Sequence, residues 1–166
     1  MQAYQELSQA GSLVDTVLTI GVFDGVHRGH RHLIQMVREV AAVRSCRAAV
    51  ITFYNHPRSV LYPNDRVTLL NLPEERVRLL EEQQVDLVLP ITFDLELSRL
   101  RAREFCKMLQ QKLGMCALVI GPNFSLGFQR EGTPEVLHGL GQEMGFIVQV
   151  VDPVEDNGEM VSSTGV

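Results

Sequence analysis

The chain has few of the features that would place it outside a reducing, aqueous compartment. In 166 residues it carries three cysteines, Cys46, Cys106 and Cys116. They are scattered, odd in number and set in apolar or helical contexts, which excludes a disulfide framework and reads as buried thiols of a cytoplasmic protein. No apolar run approaches the length that spans a bilayer. The start, Met1-Gln2-Ala3-Tyr4-Gln5-Glu6, lacks the basic region and apolar core of a secretory signal. Without such a signal the tripeptide Asn123-Phe124-Ser125 is no glycosylation acceptor. Positive charge is also short: 15 Lys and Arg against 20 Asp and Glu give a formal net charge of -5. That balance argues against the basic face of a general nucleic-acid binder, so neither nucleic acid nor membrane is an expected partner. Internal repeats, low-complexity tracts and linkers are absent, as is the G-x-x-x-x-G-K-[ST] phosphate loop.

What is present suits one well-cored domain over residues 1–166, with 45% hydrophobic content. Apolar, β-branched runs at about 17–23, 48–53, 85–91, 116–121 and 146–151 predict buried strands. Helical patterns separate them. One follows His30, with Leu33, Ile34, Val37, Val40 and Ala41 on a single face. A second starts with proline at Pro73 and turns Val77 and Leu80 inward. A third runs from about Ala102 with Phe105, Met108, Leu109 and Leu113 inward. The fourth is bounded by the cap Thr133-Pro134-Glu135 and by Gly145. Strands alternating with helices predict an α/β fold with a doubly wound parallel sheet, whose ligands bind beyond the strand carboxyl ends. Gly139-Leu140-Gly141 lies inside a helix and before a strand, the wrong context for a dinucleotide fingerprint.

The segment Gly21-Val22-Phe23-Asp24-Gly25-Val26-His27-Arg28-Gly29-His30 puts two imidazoles around a glycine, between a buried strand and an amphipathic helix. His27 falls in the loop and His30 near the first turn, where unpaired N–H groups and the helix dipole favour an anion. Gly29, without a Cβ, lets the backbone approach a phosphate. Two histidines so spaced suit hydrogen bonds to phosphoryl oxygens. A histidine pair also suits zinc, but His32, His56 and His138 supply no metal-type spacing for a third ligand. Two further loops, His56-Pro57 and Asn123 to Gly132, follow strand ends and are expected on the same sheet edge.

The decapeptide resembles the H-x-G-H signature of the nucleotidylyltransferase superfamily, in the form found in bacterial bifunctional riboflavin kinase/FMN adenylyltransferases. Thr52-Phe53-Tyr54-Asn55-His56-Pro57 is similar to that family's T-F-x-P-H-P segment. Gly121-Pro122-Asn123-Phe124-Ser125-Leu126-Gly127 is similar to G-x-[DN]-F-x-F-G, and Val161-Ser162-Ser163-Thr164 to I-S-S-T. The segments occur in the family's order along nearly the whole chain. The resemblance implies a Rossmann-like nucleotidylyltransferase fold and transfer of AMP from ATP to FMN, giving FAD and pyrophosphate with Mg2+. It implies that His27 and His30 hold the triphosphate and stabilise transition-state charge, and that Asn123 stands near the phosphates or the metal. Ser162, Ser163 and Thr164 would bind ATP at a helix start, or serve as an ordinary cap. Gly21, Phe23, Asp24 and Gly25 would shape the nucleotide wall, although Phe23 equally suits a core and Asp24 a turn. Pro57 and Phe124 would frame the flavin or simply anchor their loops. Arg130 is a phosphate contact or a solvated side chain.

The sequence departs from the family pattern in three places. Asn55 replaces the first proline of the second segment and Leu126 the second aromatic of the third, both on the flavin side. Ser162-Ser163-Thr164-Gly165-Val166 stops where the family continues through an arginine-containing helix into a riboflavin kinase domain. That domain is absent from this chain, which is therefore not expected to phosphorylate riboflavin. The chemistry is independently reasonable: a phosphate monoester with a second pKa of about 6 attacks without a general base. Alternatives are a nucleotidylyltransferase for another phosphate monoester and a non-catalytic nucleotide- or flavin-binding module.

Overall fold

The computed structural model describes residues 1–10, 14–65, 67 and 69–152, and the backbone of 154–156 and 159–161. Five strands, β1 (Thr16–Ile20), β2 (Arg47–Phe53), β3 (Leu87–Ile91), β4 (Met115–Ile120) and β5 (Ile147–Val150), form one sheet in the order β3-β2-β1-β4-β5. Each adjacent pair is parallel. The reversal of order at β1 and β4 makes the sheet doubly wound, as the alternation of strands and helices predicts. A separate antiparallel pair, β6 (Val154–Asp156) and β7 (Glu159–Val161), lies outside the predicted elements.

Burial follows the expected logic of a covered parallel sheet. Every residue of β1 is buried. Leu18 and Ile20 enter one core with Ala49, Ile51 and Phe53, under α1 (Gln2–Ser8), α6 (Ala102–Leu113) and α7 (Pro134–Met144). Val17 enters the other core with Ala48 and Val50, under α2 (Arg28–Arg44) and α4 (Pro73–Glu81). Alternate side chains of a strand therefore feed opposite layers. Pro90 sits in β3 at the sheet edge, where a missing N–H breaks no inner ladder.

The predicted strands and the four main helices are present, with differences of physical interest. The first strand ends at Ile20 instead of residue 23 because Phe23 is left-handed, with φ of 55°. On α4, Leu80 is buried but its partner one turn earlier is Arg76, while Val77 is only half-buried. The thiols are not uniformly buried: Cys106 is, whereas Cys46 and Cys116 are partly exposed and lie beside each other. Two short helices, α3 (Pro57–Leu61) and α5 (Leu95–Ser98), and the N-terminal α1 have no counterpart in the sequence reading.

Both glycines of Gly139-Leu140-Gly141 are helical residues of α7, and their surroundings differ. A Cβ on Gly139 meets nothing within 4 Å, whereas one on Gly141 collides with the Phe146 backbone carbonyl. Gly139→Ala is expected to raise stability by about 0.5–1 kcal/mol, the ordinary helix-propensity gain. Gly141→Ala is expected to lower it by about 1–3 kcal/mol, because overpacking against backbone outweighs that gain. Paired urea melts check the opposite signs.

Candidate functional site

The parallel sheet delivers the ends of β1, β2 and β4 to one edge, and the loops at 21–27, 54–56 and 121–132 leave from there. The strand order reverses between β1 and β4, so the crevice typical of ligand sites in such sheets opens between the first and third of these loops. His27 ends the first of these loops and His30 lies in the first turn of α2.

Residues 21–27 form a strained turn. Phe23, Gly25 and Val26 have φ of 55°, 76° and 43°. Gly25 adopts this conformation freely, but for a β-branched valine it is rare and costs about 1–3 kcal/mol. The turn is held from outside its own segment. The Asp24 carboxylate accepts from Leu70 N at 2.7 Å and Asn71 N at 3.1 Å. Asn71 returns the contact, its Oδ1 accepting from Gly25 N at 2.7 Å. Thr52 on β2 adds a fourth tie, donating to the Val22 carbonyl at 2.8 Å.

The two imidazoles cap α2 reciprocally. His27 Nδ1 accepts from Gly29 N at 3.2 Å and His30 Nδ1 accepts from His27 N at 3.1 Å. The rings stack at 3.4 Å between centroids, and buried Phe23 meets His30 edge-on at 5.2 Å. Each neutral ring therefore carries its hydrogen on Nε2. This alters one expectation: the backbone donors of Gly29 and His27 are taken by imidazole, so the rings stand between the helix start and an approaching anion. Gly21, the first residue of the turn, donates to Ile51 O at 3.0 Å, and a Cβ there would press on the Phe23 ring.

The second loop is tied by Asn55, which exchanges hydrogen bonds with the Phe93 backbone, donating at 2.8 Å and accepting at 3.0 Å. His56 caps α3 through Nδ1, with Pro57 as first helical residue. It is buried, and burial together with the Arg58 charge pushes its pKa below the ordinary value near 6.5. The third loop contains Gly127, Gln129 and Arg130 at positive φ of 85°, 53° and 58°. Glu131 anchors it to α6, accepting from Ala102 N at 2.7 Å and pairing with Arg101 at 2.8 Å. Asn123 is exposed, and Arg130 donates to Ser125 Oγ at 2.8 Å. Phe124 and Leu126 are buried in the sheet core at 8% exposure each. Ser162, Ser163 and Thr164 lie outside the described residues.

Two participants escaped the sequence reading. Asn71 gave no signal, since its partner lies 46 residues away. Arg76 gave one: it occupies the inward face of α4 one turn from Leu80. Its side chain is wholly buried, its three guanidinium nitrogens have no hydrogen-bond partner among the described residues, and the Asp24 charge lies on its side of the loop.

A doubly wound parallel sheet with a histidine-capped helix after its central strand defines an open α/β protein of the class that takes ligands beyond the strand carboxyl ends. A family model for FAD synthetase matches residues 10–165, and the chain belongs to that family. It is 36% identical over 151 residues to the bifunctional riboflavin kinase/FMN adenylyltransferase of Escherichia coli K12, covering 90% of this chain and 48% of that protein. The Haemophilus influenzae protein of the same name is 29% identical over 168 residues, covering all of this chain and 54% of that one. The chain thus spans about half the length of the curated relatives it matches. Among solved structures, a Streptococcus pneumoniae chain described as a macrolide-efflux protein aligns with TM-score 0.82 and 27% identity, over 94% of this chain and 51% of that one. The pantothenate synthetase of Thermus thermophilus shares the fold, with TM-score 0.61 at 18% identity, over 98% of this chain and 65% of that one. No helix among the described residues is long and apolar enough to cross a membrane.

His56 gives a pH signature. Its folded pKa is lowered, so the unfolded chain takes up a proton first as pH falls below about 6.5. Its share of stability is present above that value and is lost as pH falls through the folded pKa. His56→Asn, which keeps an acceptor at the cap, is expected to flatten the fall in melting temperature between pH 7.5 and 5.5. Arg76→Met is expected to fold and to melt a few degrees higher, because a buried guanidinium without hydrogen-bond partners among the described residues is costly and an apolar chain of similar length is not. Calorimetry at pH 7.5 checks the sign.

Proposed function

We propose that this chain is the FMN adenylyltransferase domain of an FAD synthetase, transferring AMP from ATP to FMN to give FAD and pyrophosphate. The observation that carries this reading is the pair of backbone-oriented imidazoles at the switch point of the sheet. Family membership supports the substrates. A phosphate oxygen of FMN attacks the α-phosphorus of ATP; that P–O bond forms as the bond to pyrophosphate breaks. The attacking dianion needs no base. Catalysis then rests on position and on charge stabilisation.

In this reading His27 and His30 donate from Nε2 to triphosphate oxygens. Their Nδ1 contacts with backbone amides hold the rings in that tautomer, so little reorganisation is needed as charge moves toward the leaving group. Gly21, Phe23, Asp24, Gly25 and Gly29 shape and brace the nucleotide wall. Asn123, exposed at the opposite wall, is free to reach phosphate or metal, and Arg130 is a further anion contact. Ser162, Ser163 and Thr164, outside the described residues, would bind ATP at a helix start. Among the described residues no three His, Cys, Asp or Glu side chains gather into a metal cluster. Mg2+ would be held chiefly by the substrate phosphates, as this ion prefers, where it would neutralise their charge. We place the protein in the cytoplasm and take residues 1–166 as one adenylyltransferase domain, which the family joins to a riboflavin kinase domain.

One observation favours a second reading, transfer to a different phosphate monoester. Three residues expected on the flavin side offer it little: Phe124 and Leu126 are buried in the core, and Asn55 is spent on Phe93. Incubation with ATP, Mg2+ and FMN separates the cases. FAD formation supports the first, turnover only with another monoester supports the second, and binding without pyrophosphate release supports a non-catalytic module.

His30→Ala is expected to lower kcat by about 10²–10³ while the KM for ATP changes by only a few-fold, the pattern of a group that acts on the transition state. Pyrophosphate release measures the rate, and a melting curve confirms that the variant is folded. An unchanged kcat would remove His30 from the chemistry.

A further inference from the structure

At the end of the sheet opposite the histidines, two cysteines 70 positions apart in sequence meet. The Cys116 thiol donates to Cys46 Sγ at 3.5 Å, and the Cys46 thiol donates onward to the Arg44 carbonyl at 3.3 Å. Cys46 follows the left-handed cap Ser45 of α2 and immediately precedes β2. Cys116 is the second residue of β4, and β1 runs between the two strands.

A defect in the ladder brings them together. Thr16 pairs with Met115 but Val17 pairs with Ala117, so Cys116 is an extra residue without a partner on β1. Met115 faces the α6 core and Ala117, in register with Val17, faces the α2 core, so alternation counted back from Ala117 would turn Cys116 to the α6 face. Instead Cys116 and Ala117 both pack against the α2 core, and Leu118 returns to the first. The bulge places two successive side chains on one face and bends the strand locally. Cys46 packs against that same core. Both thiols are partly exposed and free. Arg44 supplies a cation beside Cys116.

We propose that Cys46 and Cys116 form a thiol–disulfide exchange site whose co-reactant is a small-molecule disulfide. The Cys46 thiolate attacks one sulfur of that disulfide, forming a mixed disulfide and expelling one thiolate, which takes the displaced proton. Cys116 then loses its proton and attacks Cys46 Sγ, forming the protein disulfide and expelling the second small thiol. Two protein thiols become one S–S bond and one small disulfide becomes two thiols. Burial disfavours the Cys116 thiolate, which leaves the first attack to the other thiol. Closing 3.5 Å to a bond of about 2.05 Å requires about 1.5 Å of approach, and because β1 lies between the two strands the backbone at the bulge moves along with the side chains. Cys106 is the internal control, since burial pushes its pKa up to about 11.

The test exposes the whole native chain to oxidised glutathione, followed by non-reducing peptide mass mapping. The expected product is a monomer with a Cys46–Cys116 link, with Cys106 still alkylatable after denaturation. Its melting temperature should exceed that of the reduced protein by on the order of 5–10 °C, because the link closes a long loop in the unfolded chain. Cys116→Ser should accumulate stable glutathione adduct on Cys46, which the unmodified chain should resolve. Stable adducts on both cysteines of the unmodified chain, links between molecules, links through Cys106, or no reaction would each overturn the proposal.

Discussion

The arrangement depends on one economy: the imidazoles of His27 and His30 are oriented by backbone amides. Each Nδ1 accepts an N–H at the start of α2, fixing ring, tautomer and helix boundary with the same pair of hydrogen bonds. Both Nδ1 atoms are thereby committed to the backbone. The stacked rings and the edge of Phe23 restrict rotation further. A group held this way enters a reaction with little reorganisation, the quality that charge stabilisation demands.

Around that pair the loops are secured by polar ties to distant backbone. Asp24 grips the amides of residues 70 and 71, Asn55 the backbone of Phe93, and Glu131 the amide of Ala102. Such ties suit a sheet edge, where apolar packing ends and backbone groups still need partners. They also sustain the positive φ angles of Phe23, Val26, Gln129 and Arg130, conformations that the local sequence alone does not favour. Buried polar residues collect here, with His30, Thr52, His56 and Arg76 all near this edge.

Much of this was legible in the sequence because hydrophobic periodicity is local. The five sheet strands, the inward faces of α2 and α6, and the caps at Thr133 and Gly145 follow from residues a few positions apart. Position at the strand carboxyl ends followed as well, since alternating strands and helices leave a parallel sheet as the economical solution. The strand end at Ile20 was misplaced by three residues because Phe23 is apolar but turned left-handed by its tertiary surroundings. Arg76 was missed on a face that its neighbours mark as apolar.

The sequence by itself determined the doubly wound class, the histidine pair at a strand-to-helix junction and the family, because each is written in short-range pattern. Only the tertiary structure decided that Asn71 holds the turn, that Arg76 is buried beneath it, and that Cys46 meets Cys116. The meeting of the two cysteines depends on strand register and on a single bulge, which pairwise spacing along a chain does not encode. A one-residue shift in register turns a side chain to the other layer of the molecule.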